Sequence, residues 1–217
     1  MQRRIRLVIF DLDGTLTPVD SLWSYLHDAF GTWDKGRIAA QRYRKGEITY
    51  KEWAETDARC WAGVSLVTLS EVLGKIPYRT GVGTVFDHLK LKSVKTAIVS
   101  AGLSVLADKF AGELGADFAE ANDLEVNDGA LTGGIRVKVA VDEKAKIIRE
   151  IAARTSIPIN EVALVGDRAN DLPLGDCLRI AFNPKDELAK ERADVIIEDD
   201  DLSRILPYLD RELREAY

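Results

Sequence analysis

The feature that most constrains this chain is an apolar run that stops on two carboxylates: Leu7-Val8-Ile9-Phe10, then Asp11-Leu12-Asp13-Gly14-Thr15. An apolar run this short, bounded by a turn signal, predicts a buried strand. Its carboxyl end is where open α/β sheets keep their sites. Buried unpaired charge is costly, so a core strand has no structural use for two acids there. They need a compensating partner, and a divalent cation suits paired oxygen donors.

Later segments repeat the arrangement. Val94 to Ser100 is a second apolar run, ending at a hydroxyl followed by Ala101-Gly102. Val162 to Asp167 is a third, followed by Arg168-Ala169-Asn170-Asp171. Between them Asp142-Glu143-Lys144-Ala145-Lys146 opens a helical pattern carried by Ile147, Ile148 and Ile151. In chain order the strand ends thus deliver two carboxylates, a hydroxyl and two more carboxylates, with a helix-opening lysine before the last.

This order and spacing resemble the haloacid dehalogenase-like (HAD) phosphohydrolases, with four motifs matched over most of the chain. The resemblance implies a Rossmann-like three-layer α/β/α core with a mainly parallel sheet, a β-hairpin insertion and a small inserted helical cap. The domains expected are a catalytic core at 1–17 and 78–217 and a cap at 18–77. Four amphipathic stretches without a strand fill that cap: Ser21–Phe30, Trp33–Lys45, Tyr50–Ala62 and Leu66–Lys75. All four tryptophans, Trp23, Trp33, Trp53 and Trp61, fall there. Beyond it the pattern predicts helix at Thr84–Lys92, strand at Lys95–Ser100 and helices at Leu103–Leu114 and Asp142–Thr155. Strands follow at Val162–Gly166, Arg179–Phe182 and Val195–Ile197, then a last helix at Leu202–Leu209. Phe118–Val126 and Ala130–Val139 flank Asn127-Asp128-Gly129, and Asp-Gly is a strong hairpin signal.

Carried onto these residues, the resemblance makes Asp11 the nucleophile that forms an aspartyl-phosphate. Asp13 is the general acid and then the general base. Threonine two positions after the phosphorylated aspartate would mark an ion pump; Asp13 marks a hydrolase that turns its intermediate over. Ser100 is expected to hold a phosphoryl oxygen, with the N–H groups of Ala101 and Gly102 at the following helix start. Lys144 would neutralise charge beside Asp11; Lys146 is the alternative, though it falls nearer the solvated face. Magnesium is the implied cofactor, held by Asp11, the backbone carbonyl of Asp13 and Asp167. Asp171, one helical turn on, would orient Lys144, Thr15 would brace the loop, and Asn170 would reach the substrate.

The departures concern the substrate. Nearest in layout are the phosphoserine phosphatases, enzymes of serine biosynthesis, which hold the serine ammonium with a cap-entrance glutamate and its carboxylate with a cap arginine. Asp20 stands at the first position. At the second an ungapped count from Thr49-Tyr50 lands on Asp57, which leaves Arg59, Arg42 or Arg168 as the carboxylate partner, or none. Arg168 also replaces a glycine, which would be strained if that position needs φ > 0. The tryptophans either pack the small domain or hold an apolar or cationic group. Phosphoserine is the first expectation. Another small phosphorylated metabolite, a phospho-amino alcohol or sugar phosphate, is the alternative, and a non-catalytic phospho-ligand sensor the third.

Composition agrees with such a partner. The chain has 30 basic and 36 acidic residues, net charge −6, with no basic stripe, which disfavours nucleic acid. The basic head Arg3, Arg4 and Arg6 precedes too short an apolar run for secretion or a membrane span. Cys60 and Cys177 lack metal-ligand spacing and are expected reduced, in a cytoplasmic monomer or homodimer.

Overall fold

The computed structural model describes residues 4–213; Arg3 of the basic head, and the outer ends of the expected core at 1–3 and 214–217, lie outside them. Seven strands make one sheet: β1 (Leu7–Phe10), β2 (Lys95–Leu103), β3 (Phe118–Asn127), β4 (Ala130–Arg136), β5 (Val162–Gly166), β6 (Leu178–Phe182) and β7 (Val195–Ile197). Their order is β4-β3-β2-β1-β5-β6-β7, parallel throughout except for the β3–β4 hairpin. Asp128 and Gly129 take left-handed φ values of 49° and 75° at its tip, as a two-residue hairpin turn demands.

The period of two along β1 sorts the layers. Leu7 and Ile9 pack with Ile148 and Ile151 of α7 (Lys144–Thr155) on one face. Val8 and Phe10 meet Val85, Phe86 and Leu89 of α5 (Val82–Leu91) and Leu106 and Phe110 of α6 (Ser104–Leu114) on the other. The Phe10 and Phe86 rings stack at 5.0 Å. Also on the Leu7 side is Ala189 of α8 (Glu187–Arg192), while a 3-10 turn at 202–205 leads to α9 (Leu206–Leu213) on the Val8 side. The chain goes from β1 to β2 on one flank and later to β5 on the other. That reversal of strand order opens a crevice at the carboxyl ends of β1, β2 and β5.

Between β1 and α5 lie α1 (Leu22–Phe30), α2 (Trp33–Arg44), α3 (Tyr50–Arg59) and α4 (Leu66–Leu73). Ser21 caps α1 by accepting the Ser24 N–H. Thr49 and Glu52 form a reciprocal capping box at α3. The hairpin supports this helical insert, because the backbone N–H groups of Gly63 and Leu66 donate to Leu131 and Gly129, and that of Leu131 donates back to Val64.

Four local expectations are corrected. β2 continues three residues past Ser100, because its end pairs with the hairpin, Leu103 facing Asn122 after a shift in register; α6 begins only at Ser104. Ala101 and Gly102 are therefore strand residues and not a helix start. Residues 141–143 form a 3-10 turn, so Lys144 itself opens α7. Residues 167–171 are turns with no helix, so Asp171 is not one helical turn beyond Asp167. Among the described residues no helix is long and apolar enough to cross a membrane.

Candidate active site

The loop after β1 is shaped by one apolar residue between two acids. Leu12 is fully buried, and its carbonyl accepts the N–H groups of Leu16 and Thr17. This tight turn presents Asp11 and Asp13 to the crevice. Asp11 is itself buried, its N–H donating to Val165 of β5. Asp13 Oδ2 accepts the N–H of Leu22, the first residue of α1, at 2.7 Å. Gly14 takes φ 80°, and a Cβ there would lie 2.3 Å from Asp167 Oδ2. Glycine is required both by conformation and by that approach. Gly166 is constrained by close approach alone, since a Cβ there would meet that of Asp171 at 2.2 Å.

Lys144 reaches in from the start of α7. Its Nζ lies 2.5 Å from Asp11 Oδ1 and 2.5 Å from Asp171 Oδ1, with all three side chains buried. A lysine at a helix N-terminus opposes the helix dipole, and the two carboxylates outweigh that cost. Burial works against its charge, yet Asp11 and Asp171 hold its pKa above the ordinary lysine value. Lys146 instead points to solvent, 4.0 Å from Glu150. Asp171 is fixed further by the Arg168 N–H at 2.9 Å and the Asn170 side-chain amide at 3.2 Å.

The acids outnumber the cation. Burial, then Asp171, raises the pKa of Asp11 well above the carboxylate range. Burial, partly offset by the Leu22 N–H and Lys144, lifts Asp13 to about 6. Burial and Asp171 lift Asp167 to about 7. Carboxylate oxygens of Asp11, Asp167 and Asp171 lie within 4.8 Å of one another. Asp13 Oδ1 and Asp167 Oδ2 are buried without a hydrogen-bond partner among the described residues. A buried cluster of oxygen donors with two orphaned acceptors fits a hard divalent cation.

Ser100 is buried at the same crevice, and its Oγ accepts the Gly102 N–H at 2.9 Å. The Gly102 donor is thus already used within the strand, against the expectation that it faces an anion. Ala101 turns its carbonyl toward the insert, where it accepts from Trp23 Nε1 at 3.2 Å and from the Tyr50 hydroxyl. Asp20 lines the chamber but is paired with Lys185 at 2.9 Å. Thr15 does not brace the loop through its hydroxyl, which is buried without a hydrogen-bond partner among the described residues. The bracing group is Arg79, which donates to the carbonyls of Gly14 at 2.6 Å and Thr15 at 3.0 Å and lies over the Phe182 ring.

The expected arginines divide. Arg168 lines the chamber without strain, since the non-glycine residues with left-handed φ are Ser93, Asp128, Ser156 and Asn183. Arg42 and Arg59 instead line a separate cleft and pair with Glu47 and Glu55, both at 3.6 Å. Asp57 is buried 3.3 Å from His27, whose other ring nitrogen meets Thr32 Oγ1 at 2.7 Å. Trp23, Trp33 and Trp53 line the chamber, whereas Trp61 is wholly buried behind them.

Sequence reasoning missed Arg79, Arg44, Tyr50 and Asn122. Asn122 is fully buried in β3; its amide group donates to Ala101, Gly102 and Val139 carbonyls, and its Oδ1 accepts the N–H groups of Lys138 and Val139. It ties the end of β2 to the segment that leads into Lys144. The sequence signal was faint, since Glu120, Asp123, Glu125 and Asn127 make β3 polar along its length.

Comparison with known proteins agrees with this arrangement. A family model for haloacid dehalogenase-like hydrolases matches residues 8–176. The chain is 36% identical over 203 residues to a phosphoserine phosphatase of Archaeoglobus fulgidus, covering 92% of this chain and 58% of that protein. With one of Streptomyces coelicolor the identity is 30%, over 85% of this chain and 45% of that protein. With one of Methanocaldococcus jannaschii it is 29%, over 96% of this chain and all of that protein. The chain therefore spans about half the length of the first two relatives and the whole of the third. Among solved structures, a phospho-aspartyl intermediate analogue of phosphoserine phosphatase superposes with TM-score 0.81 at 27% identity, over 95% of this chain and all of that one. A substrate-bound phosphoserine phosphatase gives TM-score 0.82 at 26% identity, over 96% of this chain and all of that one.

Proposed function

We propose that this chain, which belongs to the haloacid dehalogenase-like hydrolase family, is a magnesium-dependent phosphomonoester hydrolase acting on O-phosphoserine through an aspartyl-phosphate. The observation that carries the chemistry is Lys144 Nζ held 2.5 Å from both Asp11 and Asp171 beneath the strand ends. The similarity to named phosphoserine phosphatases supports the substrate.

Asp11 attacks phosphorus as the ester P–O bond breaks, and Asp13 gives its proton to the leaving alkoxide. With its pKa lifted to about 6, Asp13 exchanges its proton closer to neutrality than an ordinary carboxylate does. Once ionised it accepts a proton from the water that cleaves the aspartyl-phosphate, releasing inorganic phosphate and restoring Asp11. Lys144 balances the negative charge that gathers on the phosphoryl oxygens, and Ser100 and Asn170 orient them. Asp171 keeps Lys144 aimed at Asp11. Magnesium would be held by Asp11, the backbone carbonyl of Asp13 and Asp167, where it would supply charge neutralisation for the dianionic ester. The insert at 18–77 serves as a cap over a core made of 1–17 and 78–217, excluding water from the reacting groups. The partner is a small phosphorylated metabolite and the setting the cytoplasm.

The test is magnesium-dependent phosphate release from O-phosphoserine, with kcat/KM at least about tenfold above that of ethyl phosphate, as a site that reads the serine group requires. Equal values remove phosphoserine and leave the chemistry. No release from any monoester overturns the whole reading. One observation favours the second reading, another small phosphorylated metabolite: Asp57 is buried against His27 where a carboxylate-binding arginine was sought.

A further inference from the structure

We propose that the helical insert supplies a stacking wall for the leaving group, and that phosphate monoesters of flat, uncharged, ring-bearing alcohols are a substrate class of this site. The inference rests on the phosphomonoester hydrolase reading above.

The chamber over Asp11 holds about 410 Å³, room for a ligand well beyond a bare phosphate. Its floor is charged, and its opposite wall is made of rings from α1, α2 and α3. These rings form a continuous ladder. Tyr43 lies flat on Trp53 at 5.0 Å and 11°. Trp53 meets Trp23 at 5.6 Å, and Trp23 stacks on Trp61 at 5.7 Å. Trp61 meets His27 at 5.1 Å, and His27 stacks on Trp33 at 5.5 Å.

The back of the ladder is core. Trp61 and His27 are buried, and Thr32 Oγ1 joins them by accepting from Trp61 Nε1 at 3.2 Å while meeting His27 Nδ1. The front is not: Trp33, Tyr43 and Trp53 are only half-buried and all three line the chamber. Trp53 is covered by Tyr43 on one face and flanked by Trp23 and Tyr50, so it backs the wall. The stacking surface is the outer side of Tyr43 and of Trp33, held in place from behind, which lowers the ordering cost of binding. The indole N–H of Trp53 is buried with no acceptor among the described residues.

Charge chooses between the two ligands that aromatic walls take. An organic cation is one. Here Arg44 and Arg168 line the same chamber, and no carboxylate pairs with either among the described residues. Of the carboxylates that line the chamber, Asp11 and Asp171 are held by Lys144 and Asp20 by Lys185, while Asp13 and Asp167 belong to the acid and metal positions. The two guanidinium groups therefore disfavour a cationic headgroup and leave a neutral ring as the complementary one.

The experiment compares 2-phenylethyl phosphate with ethyl phosphate, whose leaving groups are alike in basicity, in the presence of magnesium. In parallel, the corresponding phosphonates are titrated into the Asp11→Asn protein. The ring should lower both KM and Kd by about tenfold, the size of one stacked ring. Trp53→Ala should reduce that advantage to about twofold or less, and Trp53→Phe, which keeps a ring, should retain most of it. Phosphocholine should gain nothing over ethyl phosphate. Equal constants for the two esters, an advantage that survives Trp53→Ala, or a gain confined to phosphocholine would overturn the proposal. Turnover without a ring advantage sinks this inference alone. Ring-dependent phosphonate binding without turnover of any ester sinks the hydrolase reading alone.

Discussion

On the sheet side of the chamber, Asp11, Asp13, Lys144, Asp167 and Asp171 are brought together by turns at strand ends, and four of them are buried to within a few per cent. On the insert side, Trp33, Tyr43 and Trp53 are half-buried rings, Tyr43 stacked on Trp53 and Trp33 on His27. The sheet side is costly, because it concentrates like charges away from water. The insert side is cheap, because its rings would be stable on any helix that packs them. Residues that a fold would not choose for its own stability are the ones that report chemistry. Those that a fold welcomes report selectivity only through the face they leave open.

The contrast breaks first at Asp11. Asp11→Asn should lower phosphate release by about 10⁴-fold or more while leaving the circular dichroism spectrum unchanged; surviving turnover would remove the covalent route. Lys144→Met comes next, since it strands two buried carboxylates. It should cost the metal-free protein about 3–5 kcal/mol in denaturant titration, with magnesium recovering part of the loss. The third effect is one of pH. Asp13 and Asp167 bind protons more tightly folded than unfolded, with folded values of about 6 and 7 against an ordinary 3.8. Their contribution to stability is therefore complete below about pH 4 and lost as pH rises through 6 and 7. Melting of the metal-free protein should fall by about 5 °C or more over that range, and magnesium should flatten the fall, since it binds the ionised acids.

The insert should answer differently. Asp57→Ala leaves buried His27 without its carboxylate and should cost about 2–3 kcal/mol by thermal melting. It should shift KM more than kcat, because no atom of Asp57 lines the chamber; a loss confined to kcat would couple the two regions more tightly than the contacts here describe. Smallest is Thr15→Val. The hydroxyl has no hydrogen-bond partner among the described residues, so stability should change by no more than about 0.5 kcal/mol. A large loss would restore Thr15 as the loop's brace.

The same division decided what could be read in the sequence. Asp11, Asp13 and Asp167 were legible because a charged residue ending an apolar run admits few explanations, and the strand order that gathers them follows from the alternation of elements. Lys144 was legible only as one of two candidates, since helix phase there depends on where the preceding turn ends. The extension of β2 to Leu103 was not legible, because it is stabilised by pairing with a hairpin distant in sequence. Arg79 was hidden for a similar reason: its partners are backbone carbonyls 64 and 65 residues away, and a carbonyl carries no sequence signature. The rings of the insert were visible as tryptophans, but which of them face inward depends on how α1, α2 and α3 cross.

Of the hydrogen bonds that span the two regions, one reaches the acid itself. Asp13 Oδ2 accepts the N–H of Leu22, and that contact holds the acid's pKa down against burial. The first turn of the insert is thereby wired to the proton inventory of the sheet. Were α1 to lift by even the length of this bond, Asp13 would lose a donor and grip its proton harder; settling back would loosen that grip. Substrate arriving under the helices would then meet an acid whose strength is set by how firmly the lid is seated.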